Sequence, residues 1–227
     1  MMNVTSQVAS LVDELGLGFV DGEVRIAQLD KAQKSYIHHS RVPVALVGYA
    51  LTSSVFARSR FPKLPFITLI QKRPSMDETE ASALAAVCGA RDISPPFWGN
   101  PAPFGKHLWN VIERHNLSHF FVRLPEDRRY GGTGDHFLLR PRGIDWSDPE
   151  QPVAPEELRR WRRDYRQLET VRQLLVATII QLYLQRDDPY WMVRVPKNWH
   201  AADAISFLSE AGALEDWGRL VALYPGW

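Results

Sequence analysis

The chain has 227 residues, 45% of them hydrophobic, and a formal net charge of +1, the profile of an ordinary globular protein with a sizeable core. Its single cysteine, Cys88, excludes an internal disulfide and a cysteine-rich zinc site and fits a reducing compartment. The longest uncharged run, Val42 to Ala57, is 16 residues interrupted by Gly48, Thr52, Ser53 and Ser54, too short and too polar for a membrane span. Met1 to Gly16 has no early cation and carries Asp13 and Glu14, unlike a secretory signal. The expectation is a cytoplasmic protein without a membrane partner.

Thr5 or Ser6 can cap a short helix bearing Val8, Leu11, Val12 and Leu15, which Gly16 would stop. From Gly18 to Leu29 the pattern is a hairpin, with Phe19 and Val20 before an Asp21-Gly22 turn and Val24 and Ile26 after it. Next comes the most unusual stretch, Lys31 to Arg73. It carries Lys31, Lys34, Arg41, Arg58, Arg60, Lys63, Lys72 and Arg73 without one acidic residue, interleaved with Tyr36, Tyr49, Phe56, Phe61 and Phe66. Cations among aromatics are what neutralises phosphates and stacks on bases. Arg41 to Leu51 and Leu64 to Ile70 are rich in β-formers and predict inner strands of one mixed sheet. The segment between them, Ser53 to Lys63, predicts a loop projecting basic side chains.

A helix is predicted from Ser75 or Asp77 through Ala81, Leu84, Ala85 and Cys88 to Gly89. The proline-rich segment Ile93 to Phe104 predicts a stiff irregular connector, and Phe104 to Asn116 a further helix. Leu117 to Leu124 and His136 to Arg140 predict a strand pair around a long tip that holds Arg128, Arg129 and Gly131-Gly132-Thr133-Gly134. The glycines are not a P-loop, since no Lys-Ser/Thr follows; they are either an ordinary loop or a place where backbone approaches phosphate. A boundary falls between Arg142 and Pro155, dividing the chain into residues 1–150 and 151–227. Leu158, Trp161, Tyr165, Leu168, Val171, Leu175, Ile179 and Leu182 recur every three or four residues and predict one long helix from Glu156 to Arg186. Arg159, Arg160, Arg162, Arg163 and Arg166 crowd its start, where they oppose the helix dipole; a salt-bridged face and a phosphate-contacting face explain them equally well. Tyr190 to Val195 predicts an extended piece. Two closing helices follow, about His200 to Glu210 after Asn198 as cap, and Leu214 to Leu223, with Ala204, Phe207, Leu208, Trp217, Leu220 and Val221 as core.

No catalytic, metal or cofactor motif emerges. His115 and His119 are four apart but straddle a predicted strand start, and no His-Glu-x-x-His pattern exists. Asp135-His136 and the pair His38 and His39 are the candidates for acid–base chemistry. The sequence thus predicts an α+β protein, with a mixed sheet and helices in its N-terminal region and a helical C-terminal region built on one long helix. The functional expectation is a non-catalytic nucleic-acid-binding subunit, for RNA or DNA, of a larger nucleoprotein assembly of the kind found in CRISPR effectors or DNA-maintenance complexes, with other protein subunits as partners. Lys34, Arg41, Arg58, Arg60, Lys63, Lys72, Arg73, Arg128, Arg129, Arg159, Arg160 and Arg163 are the candidate contacts, with no catalytic residue, metal or cofactor. The alternatives are a small metal-independent RNase and a protein–protein adaptor.

Overall fold

The structure, a computed structural model, describes residues 17–20, 23–26, 65–71, 73–128, 132–145, 153–184 and 190–227. The helix expected near Ser6 to Leu15, the strand expected over Arg41 to Leu51 and the basic segment Ser53 to Lys63 lie outside these residues. Leu17–Val20 (β1) and Glu23–Ile26 (β2) pair antiparallel with Val20 opposite Glu23, the register that a two-residue Asp-Gly turn sets. Phe66–Gln71 (α1), Glu78–Val87 (α2) and Ala102–Arg114 (α3) follow, then the strands Phe121–Arg123 (β3) and Leu139–Pro141 (β4). Pro155–Arg166 (α4), Thr170–Leu184 (α5), Ala201–Glu210 (α6) and Leu214–Ala222 (α7) complete the order. The class is α+β with helices predominant. Among the described residues the strands form two separate antiparallel pairs in place of one mixed sheet.

Two expectations about helices are corrected. The strand expected over Leu64 to Ile70 is replaced, in its described residues, by a helix from Phe66 to Gln71, whose buried Phe66, Leu69 and Ile70 fall at the three- and four-residue spacing of one helical face. Packing on α5 and α6 overrides the β propensity of these side chains. The long C-terminal helix is two helices, broken at Gln167, Leu168 and Glu169. The apolar spacing runs across the break because it counts positions and carries no information on chain direction. Tyr165 and Gln173 fix the turn: the Tyr165 hydroxyl donates to Gln173 O (3.2 Å), and Gln173 Nε2 donates to Tyr165 O (3.1 Å). α4 is amphipathic, burying Leu158, Trp161 and Tyr165, whereas α5 is buried all round from Gln173 to Leu182, the pattern of a central core helix.

Smaller elements follow the local chemistry. Asp77 caps α2 in a capping box, with Glu80 N–H donating to Asp77 Oδ1 (2.8 Å) and Asp77 N–H to Glu80 Oε2 (3.1 Å). His200, not Asn198, precedes α6. Tyr190 to Val195 is turns in place of an extended piece, with Arg194 at a φ of 59°. Phe207 is 42% exposed and not part of the core, while Ala204, Leu208, Trp217, Leu220 and Val221 are buried as expected. Core residues before and after the expected boundary near residue 150 join one cluster, from Phe66 to Tyr224.

α7 lies at the centre of this cluster, packed on α2, α3, α5 and α6. Gly218 allows the approach to α2, since a Cβ there would overlap Cys88. Trp217 Nε1 donates to Thr178 Oγ1 on α5 (3.1 Å). At the C-terminus of α7 the last carbonyls, which no helical N–H can reach, are taken by Arg73. Its Nε donates to Val221 O (2.7 Å), Nη2 to Ala222 O (3.0 Å) and Nη1 to Met76 O (3.3 Å). Arg73 is fully buried, and the Trp98 ring covers its guanidinium at 5.5 Å. Trp98 is held in turn by Glu78, whose Oε1 accepts the N–H groups of Phe97 (2.9 Å) and Trp98 (3.1 Å). Burial pushes the Arg73 guanidinium down to about 10, against the opposing charges of Tyr224 and Glu78, so it stays cationic at neutral pH. Arg73 is therefore a structural arginine and not a phosphate contact.

At the other end of α7, Asp216 is a buried ion-pair centre. Its Oδ1 accepts from Arg114 Nη1 (2.6 Å) and its Oδ2 from His115 Nε2 (2.8 Å), while its carbonyl accepts from His107 Nε2 (2.9 Å). Burial works to raise the Asp216 carboxyl, but the hydrogen bond from His115 and the charges of Arg114, His107 and His115 outweigh it and hold it below its usual range. Burial lowers His107 from 6.5, helped by Arg219 and Arg114 and opposed by the hydrogen bond and charge of Asp216.

Arg73→Met will leave the Val221 and Ala222 carbonyls buried without donors and lower stability by about 3 kcal/mol, read from urea unfolding. Stability will also fall with acid in two stages. Below pH 6.5 the unfolded chain protonates His107 while the native protein resists, so stability is lost as pH falls from there. Below about pH 3.8 the Asp216 contribution is lost in the same direction. Thermal midpoints of His107→Gln across this range will lack the first stage and keep the second.

Candidate functional site

β3 and β4 pair through Phe121–Pro141, Val122–Arg140 and Arg123–Leu139, so the predicted strand pair forms, shorter than expected and entered through helical turns at Ser118–Phe120 and Asp135–Leu138. The chain leaves β4 through Arg142 and Gly143, and α4 is anchored there. Ala154 N–H donates to Gly143 O (2.9 Å), and Ile144 bridges Val153. Gly143 has a φ of +98°, and a Cβ on it would lie 2.7 Å from Leu158 Cδ2 and 3.2 Å from Leu158 N. Only glycine tolerates that backbone and lets α4 lie so close to the hairpin base.

This contact sets Arg142 opposite the first turns of α4. Its N–H donates to Phe120 O (3.0 Å) and its carbonyl accepts from Trp191 Nε1 (2.7 Å). The Phe120 carbonyl also accepts from Trp161 Nε1 (3.3 Å). Between the two elements His119, Arg142, Glu157, Arg160 and Trp161 enclose a small cleft of about 90 Å³. Trp161 forms a rigid floor, stacked on Tyr165 with ring planes 8° apart and meeting Phe120 edge-on. Arg142 Nη1 lies 4.0 Å from Glu157 Oε1, beyond hydrogen-bonding reach. Asp164 accepts from His119 Nε2 (2.7 Å) and Arg163 Nε (2.9 Å). Burial works to raise the Asp164 carboxyl, and these two bonds with their charges outweigh it and keep it low.

The five arginines of α4 divide by what they touch. Arg162 donates from Nε to Tyr190 O (3.1 Å) and Arg166 from Nη2 to Arg194 O (2.8 Å), so both tie the helix to the following turns. Arg159 pairs with Glu156 and Arg163 with Asp164 on the exposed face. Arg160 is exposed and makes no hydrogen bond or ion pair among the described residues. The salt-bridged reading of this face thus describes Arg159 and Arg163 and leaves Arg160 unaccounted for.

Of the other sequence-predicted contacts, Arg128 is exposed in the helical turn Glu126–Arg128 within the hairpin tip. Lys34, Arg41, Arg58, Arg60, Lys63, Lys72 and Arg129 lie outside the described residues, as do His38 and His39. The sequence pattern does not single out Arg142 as a contact and offers His119 only a metal-ligand spacing; no local pattern links either to Arg160. His115 and His119 face different carboxylates, Asp216 and Asp164. Among the described residues no group of three or more His, Cys, Asp or Glu side chains is placed to hold a metal. His136, a candidate for acid–base chemistry, is fully buried among the rings of Phe104, Phe137 and Trp227, away from any substrate. Cys88 is buried and its thiol is raised strongly by desolvation, so it is a packing residue. Among the described residues no helix is long and apolar enough to cross a membrane.

No protein-family model matches the chain, and no curated protein or solved structure matches it significantly.

Gly143→Ala will strain the backbone and push α4 off the hairpin base, costing on the order of 2 kcal/mol in chemical unfolding.

Proposed function

We propose that the protein is a non-catalytic nucleic-acid-binding subunit of a larger cytoplasmic nucleoprotein assembly, contacting the sugar–phosphate backbone through the exposed face of α4. The observation that carries this reading is Arg160, an exposed guanidinium that makes no hydrogen bond or ion pair among the described residues, flanked by Arg159 and Arg163 and lining one cleft with Arg142. Helix stability does not account for Arg160, whose like-charged helical neighbours Arg159 and Arg163 repel it, although Arg163 itself falls in the last turn, where a cation suits the helix dipole. The two arginines that serve the fold, Arg162 and Arg166, are separate side chains. A ligand that supplies closely spaced negative charge offsets that cost, and a phosphate backbone does so without requiring a fixed sequence.

The surface pairs with Glu156 and Asp164 do not oppose the reading, since exposed ion pairs contribute little and exchange readily for phosphate. The acid-free tract Lys31 to Arg73 supplies further cations in the sequence, Arg73 excepted. Exposed Trp98 and Phe207 suit contact with partner subunits, because large apolar groups left in water favour burial in an interface.

Binding to short labelled RNA and DNA will weaken steeply with salt. Replacing Arg159, Arg160 and Arg163 together by Gln will lower the log–log salt slope by about 2 to 3, with little change in the thermal midpoint. Binding that is absent at low salt, or whose slope the triple variant leaves intact, overturns the reading.

A further inference from the structure

Resting on the nucleic-acid reading, we propose that the cleft between α4 and the hairpin base is a phosphomonoester site that takes the phosphorylated end of a strand. Size decides what enters. The cleft holds about 90 Å³, the room of about three water molecules, whereas pockets that enclose a drug-sized molecule run to roughly 300 Å³ and more. A phosphoryl group fits, whereas a base or a nucleoside is larger than the space between the two elements. An internal phosphodiester carries a sugar on each side and would have to enter sideways; a terminal phosphate enters head-first with its chain left in solvent.

Two guanidinium groups meet it. Arg142 comes from the hairpin base with its backbone pinned on both sides by Phe120 and Trp191. Arg160 comes from α4, which Gly143 seats directly against that base. Planar guanidinium forks match the oxygens of a phosphoryl group in pairs. A terminal phosphate offers three such oxygens and a charge of about −1.5 to −2 at neutral pH, against two oxygens and a single charge for the diester. The acids nearby are unequal. Asp164 is already occupied by His119 and Arg163, which leaves Glu157 as the carboxylate on the rim, 4.0 Å from Arg142. Glu157 lies too far from Arg142 to hydrogen-bond with it but close enough for its charge to oppose an arriving anion, so it sets how tightly the site binds.

The test compares two otherwise identical short oligonucleotides, one ending in a phosphate and one in a hydroxyl, by fluorescence anisotropy at fixed salt. Inorganic phosphate is followed separately by phosphorus NMR line broadening. The phosphorylated strand is expected to bind roughly tenfold tighter. Arg142→Gln with Arg160→Gln will abolish that preference and the broadening of inorganic phosphate. Glu157→Gln will strengthen the preference, an outcome that damage to the fold would not produce. Arg159→Gln, outside the cleft, will weaken both strands equally. Equal affinity for the two strands in the wild-type protein overturns the inference while leaving nucleic-acid binding intact. If inorganic phosphate binds and loses its site in the double variant, but neither strand binds at low salt, the nucleic-acid reading and the strand-end ligand are overturned and a phosphate site remains. A wild-type protein that broadens no phosphate and distinguishes no strand ends overturns the site itself.

Discussion

The contact between Arg73 and the end of α7 is the constraint on which most of the described fold depends. A helix that ends inside a core leaves carbonyl groups with no partner, and this cost has to be met by a side chain from elsewhere. Arg73 meets it from 148 residues upstream and fixes the turn between α1 and α2 as it does so. Trp98 and Glu78 then close over the guanidinium. With Asp216 tied to α3 at its other end and Gly218 pressed on Cys88 in the middle, α7 has one position. Buried charge is used here to fix geometry, because each charged group has several hydrogen bonds and would be costly in any other arrangement.

The α4 surface follows a different rule. Its inner face is apolar and fixed by Trp161 and Tyr165, while its outer face is arginine with fewer acids than cations. Gly143 connects the two, since the closeness of α4 to the hairpin base determines whether Arg142 and Arg160 share one cleft. In the proposed phosphate site, selectivity rests on the distance between two well-anchored elements and on one acidic residue on the rim.

The differences between sequence pattern and structure have a common physical origin. The helix at Phe66–Gln71 was disguised by β-forming side chains, although Phe66, Leu69 and Ile70 already carried helical spacing. The break after Arg166 was invisible because the apolar repeat continued through it. Phe207 satisfied the periodicity of α6 but falls on its outer edge. In each case the local pattern named a face without naming the neighbour that would cover it. Arg73 is the clearest instance: at the end of an acid-free basic tract it had the appearance of a phosphate contact, and its partners are carbonyls that no sequence window brings near.

What the sequence alone determined was local: the pairing of β1 with β2, a helix start at Ser75 or Asp77, the proline connector before α3, the glycine stops at Gly89 and Gly212, and the crowding of arginines on α4. These depend on backbone preference and on contacts within a few residues, so the information is complete in a short window. The tertiary structure alone decided which arginines are structural and which are exposed, that His115 and His119 serve separate carboxylates, and that Arg142 faces Arg160. Those outcomes depend on desolvation and on the meeting of distant elements. A guanidinium has the same chemistry in a core as on a surface, and only its surroundings determine whether it caps a helix or awaits a phosphate.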